Sequence, residues 1–279
     1  MKLSPFGVAF ALSASAATSP ALAGHSASDA SLAVAPVMIE RMTTVEIRDA
    51  IRSGKTIVLI PSGSTEATGP AVALGKHLVR ANYIAENVAR KLGNALVAPV
   101  MPFAPTTDEA RFPGTVNLSA DTFTRVNEDV AESMVRTGFK YVVFIGDHDQ
   151  NQPLLRALAS KLDDKHRAEG VRVFFSSDAY AKTNQQIDEY LRVKGYPPSR
   201  HGGISDTSLT WAANPDYVHP ERLVLGAPVP PPGAPLSLDG VGIEGDPRRA
   251  SRDLGLMFLN WKVKNAVAEI RTLVSGKRE

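Results

Sequence analysis

The sequence predicts an α/β fold in which a mostly parallel central sheet lies between two layers of helices, a three-layer α/β/α sandwich. Short apolar runs rich in β-branched residues are typical of buried strands, and they occur at residues 56–60, 95–100, 141–145 and 171–175. Amphipathic stretches with helical spacing alternate with them, most clearly at residues 79–92, 119–138 and 253–274. This alternation is typical of parallel sheets, whose strands are joined by helices. With 279 residues and 43% hydrophobic content, the chain can form one such domain with a full core.

The N-terminus has the organisation of a secretory signal peptide. Lys2 supplies a positive charge, residues 6–17 form a short apolar run, and residues 21–23 read Ala-Leu-Ala, an A-x-A cleavage site. We expect cleavage after residue 23, a disordered linker at residues 24–38, and a single domain at residues 39–279. The alternative is a disordered or membrane-anchoring tail, although the apolar run is too short to span a bilayer. The protein is therefore expected to be periplasmic or secreted, with no membrane span.

The remaining helices are predicted from residues that typically start or end a helix. A helix at residues 42–51 has a Thr cap, and Gly93 ends the helix at residues 79–92. Pro153 fits the first turn of a helix that continues to about residue 168. Residues 176–200 contain a polar helix that we expect to cover the site, and a further helix starts near residue 205.

Composition excludes several classes of function. The net charge is only +2, and no basic run is interleaved with aromatic residues, so nothing indicates nucleic-acid binding. The chain has no cysteine, which excludes disulfides, thiolate catalysis and cysteine-ligated zinc.

Polar clusters follow two of the predicted strands. Glu66 and His77 lie on the segment after the strand at residues 56–60, and His148 comes directly after the strand at residues 141–145. In open α/β sheets, ligands bind at the carboxyl ends of the strands. Two imidazoles and one carboxylate are ligands suited to Zn²⁺ or Mn²⁺. Glu66, His77 and His148 are therefore candidate metal ligands.

At these residues the sequence resembles the creatininase (creatinine amidohydrolase) family. The family's G-S-x-E-Q-H-G-P, F-P-G-T, N-G-H-x-x-N and H-A-G-x-x-E-T-S segments correspond, in chain order, to residues 63–70, 112–115, 146–151 and 201–208. Residues 242–247 match a C-terminal segment of the family. The resemblance implies a creatininase-like fold and a homo-oligomer, often a hexamer, in which neighbouring subunits complete the pocket.

The departures from the family pattern concern the metal ligands. The resemblance implies two metal ions, but His77 stands where the family has a shared aspartate, Thr68 replaces a histidine, and Gln150 replaces a carboxylate. The retained positions, Glu66, His77 and His148, correspond to the ligands of one ion. A neutral imidazole is a poor bridge between two ions, whereas a carboxylate has two oxygens. We therefore predict one divalent ion per chain, Zn or Mn.

Two further roles come from the resemblance. His201 corresponds to the family's histidine that moves a proton to the leaving nitrogen; the alternative is a helix-start histidine bonded to a carbonyl. Asp206 corresponds to the glutamate of E-T-S, and it would bind the metal, orient a ligand or only cap the helix.

The candidate substrate-binding residues are Thr106, Asp149 and Tyr180. Thr106 lies in a segment that resembles the family's substrate-facing S-x-E-H sequence, for which the alternative is a solvated acidic turn. Asp147 and Asp149 flank His148, where they can hold its ring or meet a cationic substrate. Tyr180 follows a strand and is a candidate for the pocket wall, although an aromatic there is more often core.

A metal ion with three protein ligands and an open position lowers the pKa of bound water to about 7 and polarises a carbonyl. These effects predict a secreted, metal-dependent hydrolase of a C–N bond in a small molecule, such as an amide, lactam or cyclic amide, with metal-activated water as nucleophile. The alternative is a creatininase-fold protein with a degenerate metal site that acts as a lyase, isomerase, C–C hydrolase or small-molecule binder.

Overall fold

The computed structural model describes residues 36–231, 234, 235, 238 and 240–276. The predicted signal peptide and most of the predicted linker lie outside the described residues. Val37 and Met38, assigned by sequence to the linker, are 5% and 1% exposed and belong to the core. The carbonyl of Val37 accepts a hydrogen bond of 2.8 Å from the N–H of Val97. The folded domain therefore begins before residue 39, because this apolar pair lies against an edge strand.

The described strands form one four-stranded sheet, in the order β2-β1-β3-β4, and all of its pairs are parallel. The strands are β1 (Ile57–Ser62), β2 (Ala95–Val97), β3 (Tyr141–Gly146) and β4 (Arg172–Ser176). The predicted parallel sheet is confirmed. β2 ends three residues before the predicted end at residue 100, because Pro99 has no N–H to extend the ladder.

Helices cover both faces of the sheet. They are α1 (Thr44–Arg52), α2 (Lys76–Leu92), α3 (Ala120–Thr137), α4 (Asn151–His166), α5 (Ala181–Val193), α6 (Ile204–Ala213) and α7 (Arg252–Ser275). α3 and α4 pack together against one face, and α2, α6 and α7 form the opposite layer. The three-layer α/β/α architecture is therefore confirmed. Within the described part of the chain, no helix combines the length and apolar character needed to cross a membrane.

Helix starts are fixed by side-chain caps that the sequence encodes. Thr43 and Glu46 form a capping box at α1, in which each side chain bonds the backbone N–H of the other. Ser119 and Ser251 cap α3 and α7 in the simpler way, by accepting one backbone hydrogen bond. α2 has no side-chain cap, and its start at Lys76 lies three residues before the predicted start.

The carboxyl ends of β1 and β3 lie at the switch point of the sheet. From β1 the chain passes through α2 to β2 on one side, whereas from β3 it passes through α4 to β4 on the other. Right-handed crossovers in opposite directions place α2 and α4 on opposite faces and leave a crevice between the two strands. Ser62 and Gly146 are paired at this point. The loop and the first turn of α2 that follow β1, together with the loop that follows β3, carry Glu66, His77 and His148.

Candidate active site

The loop after β1 is held tightly against the start of α2. A Cβ atom on Gly63 would lie 2.9 Å from the carbonyl carbon and oxygen of His77, so only glycine fits this approach. Asn151, at the start of α4, donates a hydrogen bond of 3.1 Å to the Gly63 carbonyl. The segments after β1 and β3 are thereby joined, and both direct polar side chains into the crevice.

Glu66 is fully buried between two imidazole rings. Its Oε1 atom lies 3.0 Å from Nε2 of His77, and its Oε2 atom lies 3.0 Å from Nε2 of His148. Ser64 fixes the carboxylate by donating a hydrogen bond of 2.6 Å to Oε2. Ligand atoms of Glu66, His77 and His148 all lie within 4.8 Å of one another. The three side chains meet the geometric requirement of a shared ion, and their role as ligands stays a prediction.

The donor set fits a divalent cation. Asp147 Oδ2 lies 3.0 Å from Nδ1 of His77, and because a carboxylate only accepts, Nδ1 carries the proton. Nε2 of His77 faces Oε1 of Glu66, a carboxylate oxygen that only accepts, at 3.0 Å. A cation or a proton must therefore lie between these two atoms. In metal sites, a histidine ligand usually donates its other ring N–H to a group such as a carboxylate.

Asp147 is kept ionised by two cations. Arg80 Nε donates to Oδ2 at 2.7 Å, and Lys262 Nζ lies 3.4 Å from Oδ1. Burial would raise the pKa of Asp147, but Arg80 and Lys262 outweigh it and hold that pKa well below its usual value. The carboxylate thus orients His77, whereas the sequence suggested that Asp147 would hold the ring of His148.

Asp206 lies against two cations of α2. It accepts hydrogen bonds of 3.0 Å from Lys76 Nζ and 2.6 Å from Arg80, and one of 2.9 Å from the Gly202 N–H. Lys76 Nζ also lies 3.2 Å from Oε1 of Glu66. Asp206 is in neither group of candidate ligands found among the described residues, so its role as a ligand stays a prediction.

His201 and Glu109 form a second pair beside Glu66. The Ala67 carbonyl accepts from Nε2 of His201 at 2.9 Å, so Nδ1 is unprotonated and lies 3.5 Å from Oε1 of Glu109. Burial and the charge of Lys76 lower the pKa of His201 to about 4. Burial and the charge of Glu66 raise the pKa of Glu109 to about 7. Within the described part of the chain, the buried Oε2 of Glu109 has no hydrogen-bond partner.

A cavity of about 200 Å³ lies over these groups. Among the predicted substrate-binding residues, Asp149 and Tyr180 line it. Thr106 does not: it is buried, its hydroxyl donates to the Val116 carbonyl, and its N–H donates to Asn117. The S-x-E-H likeness thus marks a segment that reaches the cavity through Glu109 rather than Thr106.

Three charged residues of the site were not among the sequence candidates: Lys76, Arg80 and Lys262. Glu109 lies in the segment that the sequence matched to the S-x-E-H pattern. Arg80 had a usable signal, since it follows His77 by three residues and therefore shares its face of α2. Lys262 had none, because a lysine within an apolar helical stripe is expected to reach solvent rather than a buried carboxylate.

Comparison with known proteins agrees with the family resemblance found in the sequence. The family model for creatinine amidohydrolase matches residues 40–270. Creatinine amidohydrolase of Pseudomonas putida is 25% identical over 252 residues, which cover 84% of this chain and 96% of that protein. Mycofactocin precursor peptide peptidase of Mycolicibacterium smegmatis is 26% identical over 208 residues, 70% of this chain and 76% of that protein.

Solved structures agree on the fold. A manganese form of creatininase superposes with a TM-score of 0.71 at 23% identity, covering 85% of this chain and 98% of that one. A mutant creatininase of the Zn-Zn type gives 0.70 at 24% identity with the same coverage.

Proposed function

This chain belongs to the creatininase (creatinine amidohydrolase) family, and we propose that it is a metal-dependent hydrolase of a C–N bond in a small molecule. The observation that carries the proposal is the convergence of one carboxylate and two imidazoles, Glu66, His77 and His148, at the switch point of the sheet. Two of the curated relatives are named for creatinine and for a precursor peptide, and they support an amide, lactam or cyclic amide as the proposed substrate class.

The proposed cofactor is one Zn or Mn ion per chain, held by Glu66, His77 and His148. Such an ion, with an open position, supplies a water nucleophile and polarises a carbonyl. The chain's own contribution is to hold the ligands rigid. Asp147 fixes the tautomer of His77, and Ser64 fixes the Glu66 carboxylate. The solved manganese and zinc forms of creatininase support both metals as candidates.

We assign proton transfer to the pair formed by His201 and Glu109. The Ala67 carbonyl holds the Nε2–H of His201, so its free Nδ1 faces Glu109 and accepts a proton from that side. With a pKa of about 7, Glu109 has both protonation states available near neutral pH, which suits a group that takes a proton and returns it to a leaving nitrogen.

The cavity supports a small substrate. A volume of about 200 Å³ lies below the range of about 300–1,000 Å³ that is usual for ligand pockets, which favours a small molecule. Asp149 and Tyr180 line its wall, together with the partly exposed guanidinium of Arg200. We assign substrate contacts to Asp149 and Tyr180, and we keep Thr106 as a residue that supports the Glu109 segment.

Export and assembly are part of the same proposal. Cleavage after residue 23 would release a mature periplasmic or secreted chain, and N-terminal sequencing of the exported protein tests this directly. Oligomerisation, with a hexamer as the expected form, is tested by light scattering of the purified protein.

The test of function is metal dependence. The protein as purified should contain about one Zn or Mn per chain, lose hydrolysis of a panel of cyclic and linear amides on chelation, and regain it on metal addition. Glu66→Gln should abolish both metal binding and activity. Glu128→Gln, which removes only a surface partner of Lys161, is the matched control and should change neither.

A metal-free, chelator-insensitive protein would contradict the proposal. It would favour the alternative of a non-hydrolytic enzyme or binder, for which the specific support is the ion pair between Lys76 and Glu66, since an ammonium already partners the candidate ligand.

A further inference from the structure

Lys76 is a buried cation inside the candidate metal centre. It is the first residue of α2, is fully buried, and contacts two carboxylates: Oε1 of Glu66 at 3.2 Å and Oδ2 of Asp206 at 3.0 Å. An ammonium held between two buried carboxylates is a positive charge beside the proposed metal ligands.

The buried charges around Lys76 are balanced without any metal. Three carboxylates are in direct contact with three cationic side chains, and these six residues are Glu66, Asp147, Asp206, Lys76, Arg80 and Lys262. One divalent ion adds two positive charges, which a hydroxide and the ionised Glu109 can offset. A second divalent ion would add two more. Because uncompensated buried charge is strongly disfavoured, the cluster accommodates one ion but not two.

The residues nevertheless contain a second set of potential ligands. Glu66, Glu109 and His201 have ligand atoms within 4.8 Å of one another, and Oε2 of Glu109 is a buried oxygen with no partner in the described part of the chain. This set shares Oε1 of Glu66 with Lys76, since His201 Nδ1 lies 3.9 Å and Lys76 Nζ lies 3.2 Å from that oxygen. An ion there would lie beside the ammonium.

We propose that Lys76 takes the place of a second metal ion, acting as a fixed monovalent cation that occupies Oε1 of Glu66 and limits the site to a single divalent ion. The inference rests on the proposed metal binding by Glu66, His77 and His148. Removal of the ammonium should therefore open the set formed by Glu66, Glu109 and His201 to a second cation.

The experiment measures metal stoichiometry rather than activity. Zn²⁺ is titrated into metal-depleted protein by calorimetry, and tightly bound metal is counted after desalting by elemental analysis. The wild type should bind one ion and Lys76→Met two. Lys76→Arg keeps the charge and should bind one. Lys161→Met is the control, because it removes a surface lysine that contacts Glu128 rather than Glu66, and it should also bind one.

A double variant identifies the second site. Lys76→Met with Glu109→Gln should return to one ion, because Glu109 supplies a ligand to that site. A Lys76→Met variant that stays at one ion would overturn the inference and leave the proposed function intact. Two ions of similar affinity in the wild type would overturn both the inference and the proposed count of one ion per chain, while metal-dependent hydrolysis would stand. This measurement needs no variant to fold. A wild type that binds no ion would contradict the proposed function and the inference together.

Discussion

At the scale of single residues, the side chains that face the cavity were predictable where their position after a strand carried the information. Glu66, His77 and His148 are separated by as much as 82 residues in the chain, yet the rule that ligands bind at the carboxyl ends of parallel strands brings them together. The charges that surround them were not predictable. Lysines are usually surface residues, and nothing in the sequence around Lys76 and Lys262 indicates otherwise. Only the folded structure shows that each contacts a buried carboxylate.

A substitution at Asp147 tests whether its carboxylate orients His77 for metal binding. Asp147→Asn keeps the shape of the side chain but removes the charge that orients His77 and fixes its tautomer. We expect metal affinity to fall by about 10- to 100-fold, the range typical for partners behind a ligating histidine. Competition with a chromogenic chelator measures this. Asp164→Asn, on the exposed surface of α4, is the control, and an equal loss of affinity in both variants would contradict the role given to Asp147.

At the scale of elements, every predicted helix and strand discussed above exists, and the errors lie at the ends. α2 starts at Lys76 rather than at residue 79, because its first turn is polar yet buried and so lacks the apolar spacing that marks a helix. α4 starts at Asn151, which places Pro153 in its first turn as predicted, where a proline needs no N–H donor. The error at α2 falls where the chain turns toward the site, which is where polar residues replace the apolar pattern.

The contact between α6 and α7 depends on one glycine. A Cβ atom on Gly255 would lie 1.8 Å from the Ser208 carbonyl oxygen, so the helices cannot approach this closely with any other residue. Alanine normally favours a helix interior over glycine, but here we expect Gly255→Ala to lower the free energy of unfolding by about 1–3 kcal/mol, the usual cost of overpacking. Urea denaturation measures the change. Leu256→Ala, at an exposed neighbour, should stay within about 0.5 kcal/mol, and a neutral Gly255→Ala would show that the helices separate easily.

The stability of the contact between α3 and α4 should depend on pH. His166 lies 3.0 Å from Glu132 on α3 and 3.0 Å from Glu169, and these carboxylates raise the pKa of His166. Because the pKa of His166 is higher in the folded chain, the protonated ring stabilises the fold fully below its pKa in the unfolded chain, about 6.5. This stabilisation is lost as the pH rises through the pKa of His166 in the folded chain. Lys165 also bonds Glu132 and stays charged throughout.

The measurement compares wild type with His166→Gln by urea denaturation between about pH 6 and pH 9. The stability difference between the two should shrink as pH rises, while other titrating groups affect both proteins equally and cancel. A difference that is constant or grows with pH would show that the two carboxylates do not stabilise the protonated ring.

At the scale of the whole molecule, alternation of strands and helices was sufficient to predict the layers and the parallel sheet. Strand order is less accessible to sequence reasoning, because it depends on the direction of each crossover rather than on any local pattern. Val37 and Met38 join the core although the sequence placed them in the linker, since two apolar residues at the end of an Ala/Ser-rich segment give no sign of this.

Metal binding should stabilise the entire domain. The proposed ligands come together only in the folded chain, so an ion that binds the folded state adds about 2.7 kcal/mol at one hundred times its Kd. For a domain of this size we expect Tm to rise by about 5–10 °C with Zn²⁺ or Mn²⁺. Differential scanning fluorimetry measures this. Mg²⁺, which prefers oxygen ligands, and the Glu66→Gln variant should give no shift, and an equal shift with Mg²⁺ would argue against two imidazole ligands.

Because Ser62 pairs with Gly146, binding at the proposed metal site would also report correct folding. A slip of one residue between β1 and β3 would displace His148 by about 3.3 Å and turn alternate side chains to the wrong face. A compact but misaligned chain would therefore hold its hydrophobic interior and yet capture no ion. During refolding, the moment at which Zn²⁺ is taken up should mark the arrival of the two central strands in register, ahead of any assay with substrate.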